Sequence, residues 1–186
     1  MKKIQCCIFL ISALMLAACS TKSSDHFDVV KSFHPDDPYF KASLVSLHYI
    51  IETTYGPEVD TTMMMIVNNY DLPIGAGSAI DGVYKGFSPY DAYDYTHVVE
   101  LTIEEGKIVN VFYDEVHRNG QGKRDDAEYN EHMLEHGTSP AIAYPIYEEQ
   151  LLEYQNIWDI DAVSGATSSL YRFRFAVMVA LMQAQD

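Results

Sequence analysis

The sequence predicts an α+β protein with a small antiparallel sheet and packed helices. Between residues 99 and 103, apolar and polar residues alternate, which is the period of a half-buried strand. Glu105-Gly106 then supplies a tight turn, and residues 107–116 return as a second apolar strand. Residues 165–183 instead place apolar side chains at helical spacing. A β-hairpin followed by helices is typical of the α+β class.

The N-terminal half predicts helix. Asp36-Asp37-Pro38 is a helix start with proline in the first turn. The apolar residues that follow at helical spacing are Phe40, Leu44, Leu47 and Ile51. We expect this helix to end near Tyr55, before Gly56-Pro57. Residues 61–67 are apolar and rich in methionine, and their pattern fits either a strand or a helix. Residues 72–78 read as a linker.

The remaining elements follow the same rules. Residues 82–86 form a short strand bounded by glycines, and residues 118–126 form a polar loop. Two helices are expected at 126–136 and 139–154, the second with Ser139 as cap and proline in its first position. The last helix should start near Gly165. Its apolar stripe is Ala166, Leu170, Phe173, Val177 and Leu181.

The first residues resemble a bacterial lipoprotein signal. Lys2 and Lys3 precede an apolar stretch at 4–15 that is too short to span a bilayer as a stable helix. Leu16-Ala17-Ala18-Cys19 then matches a lipobox, which implies cleavage before Cys19 and acylation of that residue. Acyl chains would anchor the protein to a membrane, with residues 20–25 as a polar tether. The alternative is an ordinary secretory signal that contains cysteines.

Composition excludes several function classes. All 3 cysteines of the 186 residues lie in the first 19, so the mature domain would have neither a free thiol nor a disulfide. Iron–sulfur clusters and cysteine zinc sites are therefore excluded. The formal charge is −15 and becomes −17 when Lys2 and Lys3 leave with the signal. Such a charge disfavours nucleic acid and anionic lipid as partners. Two interpretations are open: attraction toward a basic partner, or solubility alone, which is the simpler one.

Asp161-Ala162-Val163-Ser164-Gly165-Ala166-Thr167 is the most informative segment. A Thr167 hydroxyl in the first turn of a helix would face unpaired backbone N–H groups, which together with the helix dipole favour a phosphate. Ser164 can cap the helix, Gly165 permits close approach of the backbone, and Ala166 keeps the approach uncrowded. Asp161 would repel a phosphate, so it fixes the loop or is read by a modifying enzyme. The alternative is an ordinary helix start with small residues.

Residues 81–184 resemble the FMN-binding domain of exported bacterial flavoproteins. The segments that carry the resemblance are Asp81-Gly82-Val83-Tyr84-Lys85-Gly86, Glu105-Gly106-Lys107-Ile108-Val109 and the 161–167 heptad. The chain is closer still to lipoproteins of extracellular electron transfer. The segments similar to theirs are Asp126-Ala127-Glu128-Tyr129-Asn130, Ala143-Tyr144-Pro145 and Glu148-Glu149-Gln150-Leu151. The resemblance covers a little over half of the chain.

This resemblance implies a two-layer FMN-binding fold and FMN esterified to Thr167. A flavin transferase that uses FAD and a divalent metal would attach the flavin outside the cytoplasm. Asn130 and Met133 would correspond to family residues near the flavin ring, or they are ordinary helix surface and core. We thus expect a signal peptide at 1–18, a tether and helical segment of unassigned role at 19–80, and an FMN-binding domain at 81–186.

Two functions are compatible with these features. The first is a flavoprotein on the extracytoplasmic face of a cell-envelope membrane, carrying electrons from a membrane-linked donor to an extracytoplasmic acceptor. The second is a lipoprotein that binds a ligand or a protein without redox turnover. The sequence contains no evident constellation of catalytic residues, so a carrier is favoured over a stand-alone enzyme.

One competing motif is complete. His132-Met133-Leu134-Glu135-His136 satisfies the inverted zinc-protease pattern H-x-x-E-H, and two histidines four residues apart share one helix face. Such proteases need a distant third ligand and a large cleft, for which this domain offers little room. A polar, solvated helix face is the simpler interpretation, and we predict no metal site.

Overall fold

The chain is described by a computed structural model over residues 36–185. The expected signal peptide at 1–18, the lipidated Cys19 and the tether at 20–25 lie outside the described residues. The elements in chain order are α1 (Pro38–Thr53), α2 (Pro57–Tyr70), β1 (Gly82–Phe87), β2 (Tyr95–Glu104), β3 (Lys107–His117), α3 (Ala127–Leu134), α4 (Pro140–Tyr154), a 3-10 turn (Ile157–Asp159) and α5 (Thr167–Gln183). The predicted α+β class is confirmed.

The two N-terminal helices each begin at a proline. Helix α1 begins at Pro38, as the sequence predicted, and the Asp37 carboxylate caps it by accepting a first-turn backbone N–H at 2.9 Å. The helix ends at Thr53, two residues earlier than expected, because Gly56 adopts a φ of 84° and Pro57 starts α2 at once. Residues 61–67, left open between strand and helix, are helical. Within residues 36–185, none of the helices has the length and apolar character needed to cross a membrane.

The three strands form an antiparallel meander in the order β1-β2-β3. Val99, Leu101 and Ile103 are completely buried at 0% exposure, which confirms the predicted inner face of β2. Glu105 and Gly106 have φ values of 51° and 70°, the positive pair that a two-residue type I′ hairpin requires. The hairpin therefore has the predicted turn, and a β-bulge between Thr102 and Ile103 shifts the pairing register two residues before it.

The inner face of the sheet packs against α4 and α5 and forms the main core. Tyr113 lies at its centre: the centroid of its ring is 4.4 Å from that of Tyr144 on α4 and 4.9 Å from that of Phe173 on α5. The stripe predicted for the last helix is buried at every position: Ala166, Leu170, Phe173, Val177 and Leu181. This packing fixes the position of the first turn of α5, where the candidate site lies.

The other side of α5 packs against α1 and α2 and forms a second core. Its fully buried members include Leu47, Val59, Met63 and Met178. Two ion pairs cross the same interface: Arg172 to Glu52 and Arg174 to Asp60, each with an N–O distance of 3.0 Å. Residues 36–80 thus cover the outer side of α5, whereas the domain limit at residue 80 stays a prediction.

Candidate functional site

Helix α4 holds the loop before α5 in place. The backbone N–H of Asp161 donates to Gln150 Oε1 at 2.6 Å. Further along the loop, the Tyr147 hydroxyl donates to the carbonyl of Ala166 at 2.8 Å and accepts from the N–H of Val163 at 3.3 Å. The Asp161 side chain is exposed, so this residue is held against α4 through its backbone.

Gly165 provides the turn into α5. Its φ is +84°, and a Cβ at this position would lie 3.3 Å from the carbonyl oxygen of His136 and 3.3 Å from Thr138 Cγ2. A side chain here would be both strained and crowded. Glycine is thus required at this turn for two reasons: its positive φ, and the close approach of the 136–138 loop.

The predicted capping role of Ser164 is wrong. Helix α5 begins at Thr167, its N-cap position is Ala166, and no side chain caps it. The Gly165 turn separates Ser164 from the helix, which leaves this serine exposed. Ser139 similarly occupies the N-cap position of α4 without a side-chain hydrogen bond, so only its predicted place is confirmed.

Thr167 is the first residue of α5, and it is exposed. Within residues 36–185 its hydroxyl makes no hydrogen bond, and the backbone N–H groups of Thr167, Ser168 and Ser169 also lack partners. The first hydrogen bond of the helix runs from the N–H of Leu170 to the carbonyl of Ala166 at 3.1 Å. Three free donors and the positive end of the helix dipole therefore surround an accessible hydroxyl, an arrangement that can stabilise a phosphate ester.

A crevice adjoins this helix start. Its wall is formed by Glu115, Tyr129, Met133, Thr138, Ser139, Pro140, Ala143, Tyr144, Gly165, Ala166 and Ser169. Thr138 is 5% exposed, and in the described part of the chain its hydroxyl oxygen has no hydrogen-bond partner. A buried, unpaired hydroxyl is unfavourable unless a ligand or water satisfies it. The crevice is too small to enclose a tricyclic ring, so it can receive only one edge of such a ligand.

Asn130 and Met133 occupy different surroundings. The Asn130 amide nitrogen donates to the carbonyls of Lys123 at 2.8 Å and Asp126 at 2.7 Å, and its oxygen accepts from the N–H of Ala141 at 2.9 Å. This side chain therefore joins the loop before α3 to the start of α4. Met133 lines the crevice itself. That both residues lie near a flavin ring stays a prediction. Of the two, Met133 is the one that lines the crevice.

A buried carboxylate in the wall of the crevice was missed by the sequence analysis. Glu115 accepts from the Tyr144 hydroxyl at 2.7 Å and from Lys123 Nζ at 2.5 Å, and His97 Nδ1 lies 3.8 Å from it. Burial opposes its ionisation, but it is outweighed by the charge that His97 carries once it is protonated in acid, by the charge of Lys123, and by the hydrogen bonds from Lys123 and Tyr144. They lower the Glu115 pKa to about 2.

His97 lies opposite Glu115 in the sheet and is 1% exposed. Burial is the main reason that its pKa falls to about 4, so His97 is uncharged at neutral pH and Lys123 is the cation that balances Glu115. The alternation of side chains along each strand could have revealed this cluster from the sequence. His97 shares its strand face with Val99, and Glu115 shares its face with Tyr113, so both polar residues are on the buried side.

The two histidines of the protease-like motif are exposed on and just after α3. Their ring centroids are 5.2 Å apart and their planes are nearly perpendicular. Between residues 36 and 185, no group of three or more His, Cys, Asp or Glu side chains is placed to hold a metal ion.

Three known proteins are similar to this chain. The chain is 34% identical over 96 residues to the 15 kDa lipoprotein of Treponema pallidum (strain Nichols), covering 50% of this chain and 68% of that protein. The crystal structure of the CPE2226 protein from Clostridium perfringens has a TM-score of 0.54 and 33% identity, covering 57% of this chain and 88% of that one. A solution structure from Clostridium thermocellum has a TM-score of 0.40 and 25% identity, covering 57% and 92% respectively. No protein-family model matches the chain.

Proposed function

This chain belongs to the family of the 15 kDa lipoprotein of Treponema pallidum, a bacterial lipoprotein, and we propose that it is a membrane-anchored flavoprotein of the cell envelope. It carries electrons through FMN esterified to Thr167. The lipoprotein relative supports the anchoring part of this proposal, in agreement with the lipobox at Cys19. The flavin part rests on the 161–167 heptad and on the surroundings of its threonine.

The exposed Thr167 hydroxyl beside three free backbone N–H groups is the observation that carries the proposal. The N–H groups of Thr167, Ser168 and Ser169 would receive the phosphate, and Met133 and Thr138 would contact an edge of the ring. When bound, FMN supplies one- and two-electron chemistry. The protein's own contribution is to hold the ester, orient the ring and keep part of it accessible to partners.

Covalent attachment suits an extracytoplasmic location. A dissociable flavin would be lost by dilution there, because the bound fraction depends on the free concentration. An ester bond removes that dependence. The chain then needs three kinds of partner: a flavin transferase, a membrane-linked electron donor and an extracytoplasmic acceptor. Its formal charge is −15 for the full sequence and −17 without Lys2 and Lys3, which would favour partners with a basic docking surface.

A second candidate function is supported by the groove between α1 and α2. Its lining combines exposed aromatic and thioether groups with hydroxyls: Tyr39, Ser43, Ser46, Thr62 and Met65. Such a groove is compatible with a lipoprotein that binds a ligand or a protein without redox turnover. Flavin content separates the two functions, since only the first needs an adduct on Thr167.

The test is the intact mass of the chain after export in cells with an active flavin transferase. We expect a single FMN per chain, with visible absorbance that stays with the denatured protein. A matched culture without transferase should give the unmodified mass. If the exported chain carries no flavin when a known substrate of the same transferase is modified in those cells, the redox proposal is wrong.

Cys19→Ser is expected to release the protein from the membrane fraction or to leave an uncleaved precursor. The reason is that acylation and cleavage both need the cysteine thiol at this position. Membrane fractionation and radiolabelled palmitate incorporation measure the effect, and Cys7→Ser within the signal serves as a control. A variant at Cys19 that is normally cleaved and lipid-labelled would show that anchoring lies elsewhere.

Replacing His132 and His136 together with alanine should leave flavin content and electron transfer nearly unchanged. Both side chains are exposed, and surface substitutions of this kind change stability by about 0.5 kcal/mol or less. Flavin mass and the rate of reduction by dithionite are the measurements, and we expect no peptidase activity with added zinc. Loss of electron transfer with flavin still attached would instead indicate a metal or proton-transfer role for the pair.

A further inference from the structure

One member of an ion pair forms part of the wall of the crevice beside Thr167. Glu115 and Lys123 are 4% and 15% exposed at their side chains, and Glu115 is the member that lines the crevice. The Tyr144 hydroxyl donates to the same carboxylate at 2.7 Å. A charged group is thus fixed at the surface that would face a ligand, with no freedom to turn away.

Lys123 approaches this carboxylate from the outer side. Its ammonium lies 4.4 Å from the centre of the Tyr95 ring and 5.1 Å from that of Tyr129, a position that cation–π attraction favours. Tyr129 also lines the crevice, so the cation is close to it without forming part of its wall. Burial lowers the His97 pKa to about 4 and leaves this residue uncharged at neutral pH, so Lys123 is the cation that pairs with Glu115.

From this arrangement we infer that the Glu115–Lys123 pair sets the electron affinity of a flavin held at Thr167. The inference rests on the proposed flavin attachment. Reduction of the ring by two electrons from an external donor, with uptake of one proton, adds one negative charge to it. A carboxylate at the crevice opposes that charge and the neighbouring ammonium favours it; screening by solvent is reduced because Glu115 is buried and Lys123 is half-buried.

The two members of the pair therefore act in opposite directions. Glu115→Gln keeps the size and the acceptor for Tyr144 but removes the negative charge, so flavin reduction becomes easier. Lys123→Gln removes the positive charge, so reduction becomes harder. We expect the ratio of reduced to oxidised flavin at a fixed potential to change by about tenfold in each case. The double variant should lie between the two single variants.

The experiment uses flavinylated full-length protein. Each variant is titrated with dithionite beside an indicator dye of known potential, and the ratio of reduced to oxidised flavin is read from absorbance. Glu100→Gln is the matched control, because Glu100 also pairs with a lysine, Lys85, at 2.8 Å but lies on the opposite face of the sheet. We expect this control to titrate like the unmodified chain.

Opposite shifts for Glu115→Gln and Lys123→Gln support the inference. Shifts of the same sign, or shifts no larger than that of Glu100→Gln, overturn it. If Glu115→Gln does not fold, Lys123→Gln decides alone, since its side chain is the more exposed of the two and its sign is fixed in advance. A wild-type chain without any flavin contradicts the proposed function instead, so the two failures are distinguishable.

Discussion

Thr167→Val is expected to abolish covalent attachment of FMN. Valine has nearly the shape of threonine but lacks the hydroxyl that would form the ester, and the exposed position tolerates the change without loss of fold. The exported variant should therefore lack the mass increase of FMN minus water, about 440 Da, that we expect for the unmodified sequence. Intact-mass spectrometry and in-gel flavin fluorescence measure the result.

Ser168→Ala is the matched control for this variant. Ser168 carries a hydroxyl one residue further along the same helix turn and contributes one of the three free N–H groups. Because alanine keeps that N–H, we expect a full adduct on Thr167. An undiminished adduct in Thr167→Val, or its loss in Ser168→Ala alone, would move the attachment site and contradict the assignment.

Gly86→Ala should destabilise the fold by about 3 kcal/mol, as overpacking against rigid backbone does. Strand β1 crosses α5 at this residue, and an added Cβ would collide with the carbonyl oxygen of Ala176 and lie 2.8 Å from the backbone nitrogen of Ala180. Neither atom can move without shifting the helix. Thermal unfolding should show a midpoint lower by about 10 °C for a chain of this size.

Gly77→Ala tests whether the effect comes from the close approach or from glycine itself. Gly77 has ordinary backbone geometry, and within the described residues a Cβ there would meet nothing within 4 Å. We expect its unfolding midpoint to match that of the unmodified chain or to rise slightly, since alanine restricts the unfolded state more than glycine. Equal midpoints for Gly86→Ala and the unmodified chain would mean that β1 and α5 are further apart than described.

Local patterns were sufficient for the elements around the site. The alternation around Val99 and Leu101 defined the inner face of β2, and the helical spacing of Leu170 and Phe173 defined the buried side of α5. These predictions succeeded because strand and helix periodicity reflect burial directly. The place of Thr167 in the first turn of a helix followed from the same pattern, although the helix starts at Thr167, two residues later than the expected start near Gly165.

Capping and tertiary roles were less accessible from the sequence. Ser164 has the residue type of a cap, yet the Gly165 turn moves the helix start beyond its reach. The place of Asn130 near a flavin ring stays a prediction, whereas its contacts with three backbone carbonyls and one backbone N–H were not predicted. In both cases the partner that decides the role is a backbone group positioned by the fold, which residue type does not specify.

Spacing within single segments was enough to predict the α+β class, the hairpin, the buried side of α5 and the threonine at its first turn. Packing between segments was needed to show that residues 36–80 cover the outer side of α5 and that Glu115, in the crevice wall, pairs with Lys123. The distances between the residues in these contacts cannot be read from their spacing along the chain. The energies of these contacts depend on burial and dielectric, which arise only when the sheet and helices have packed.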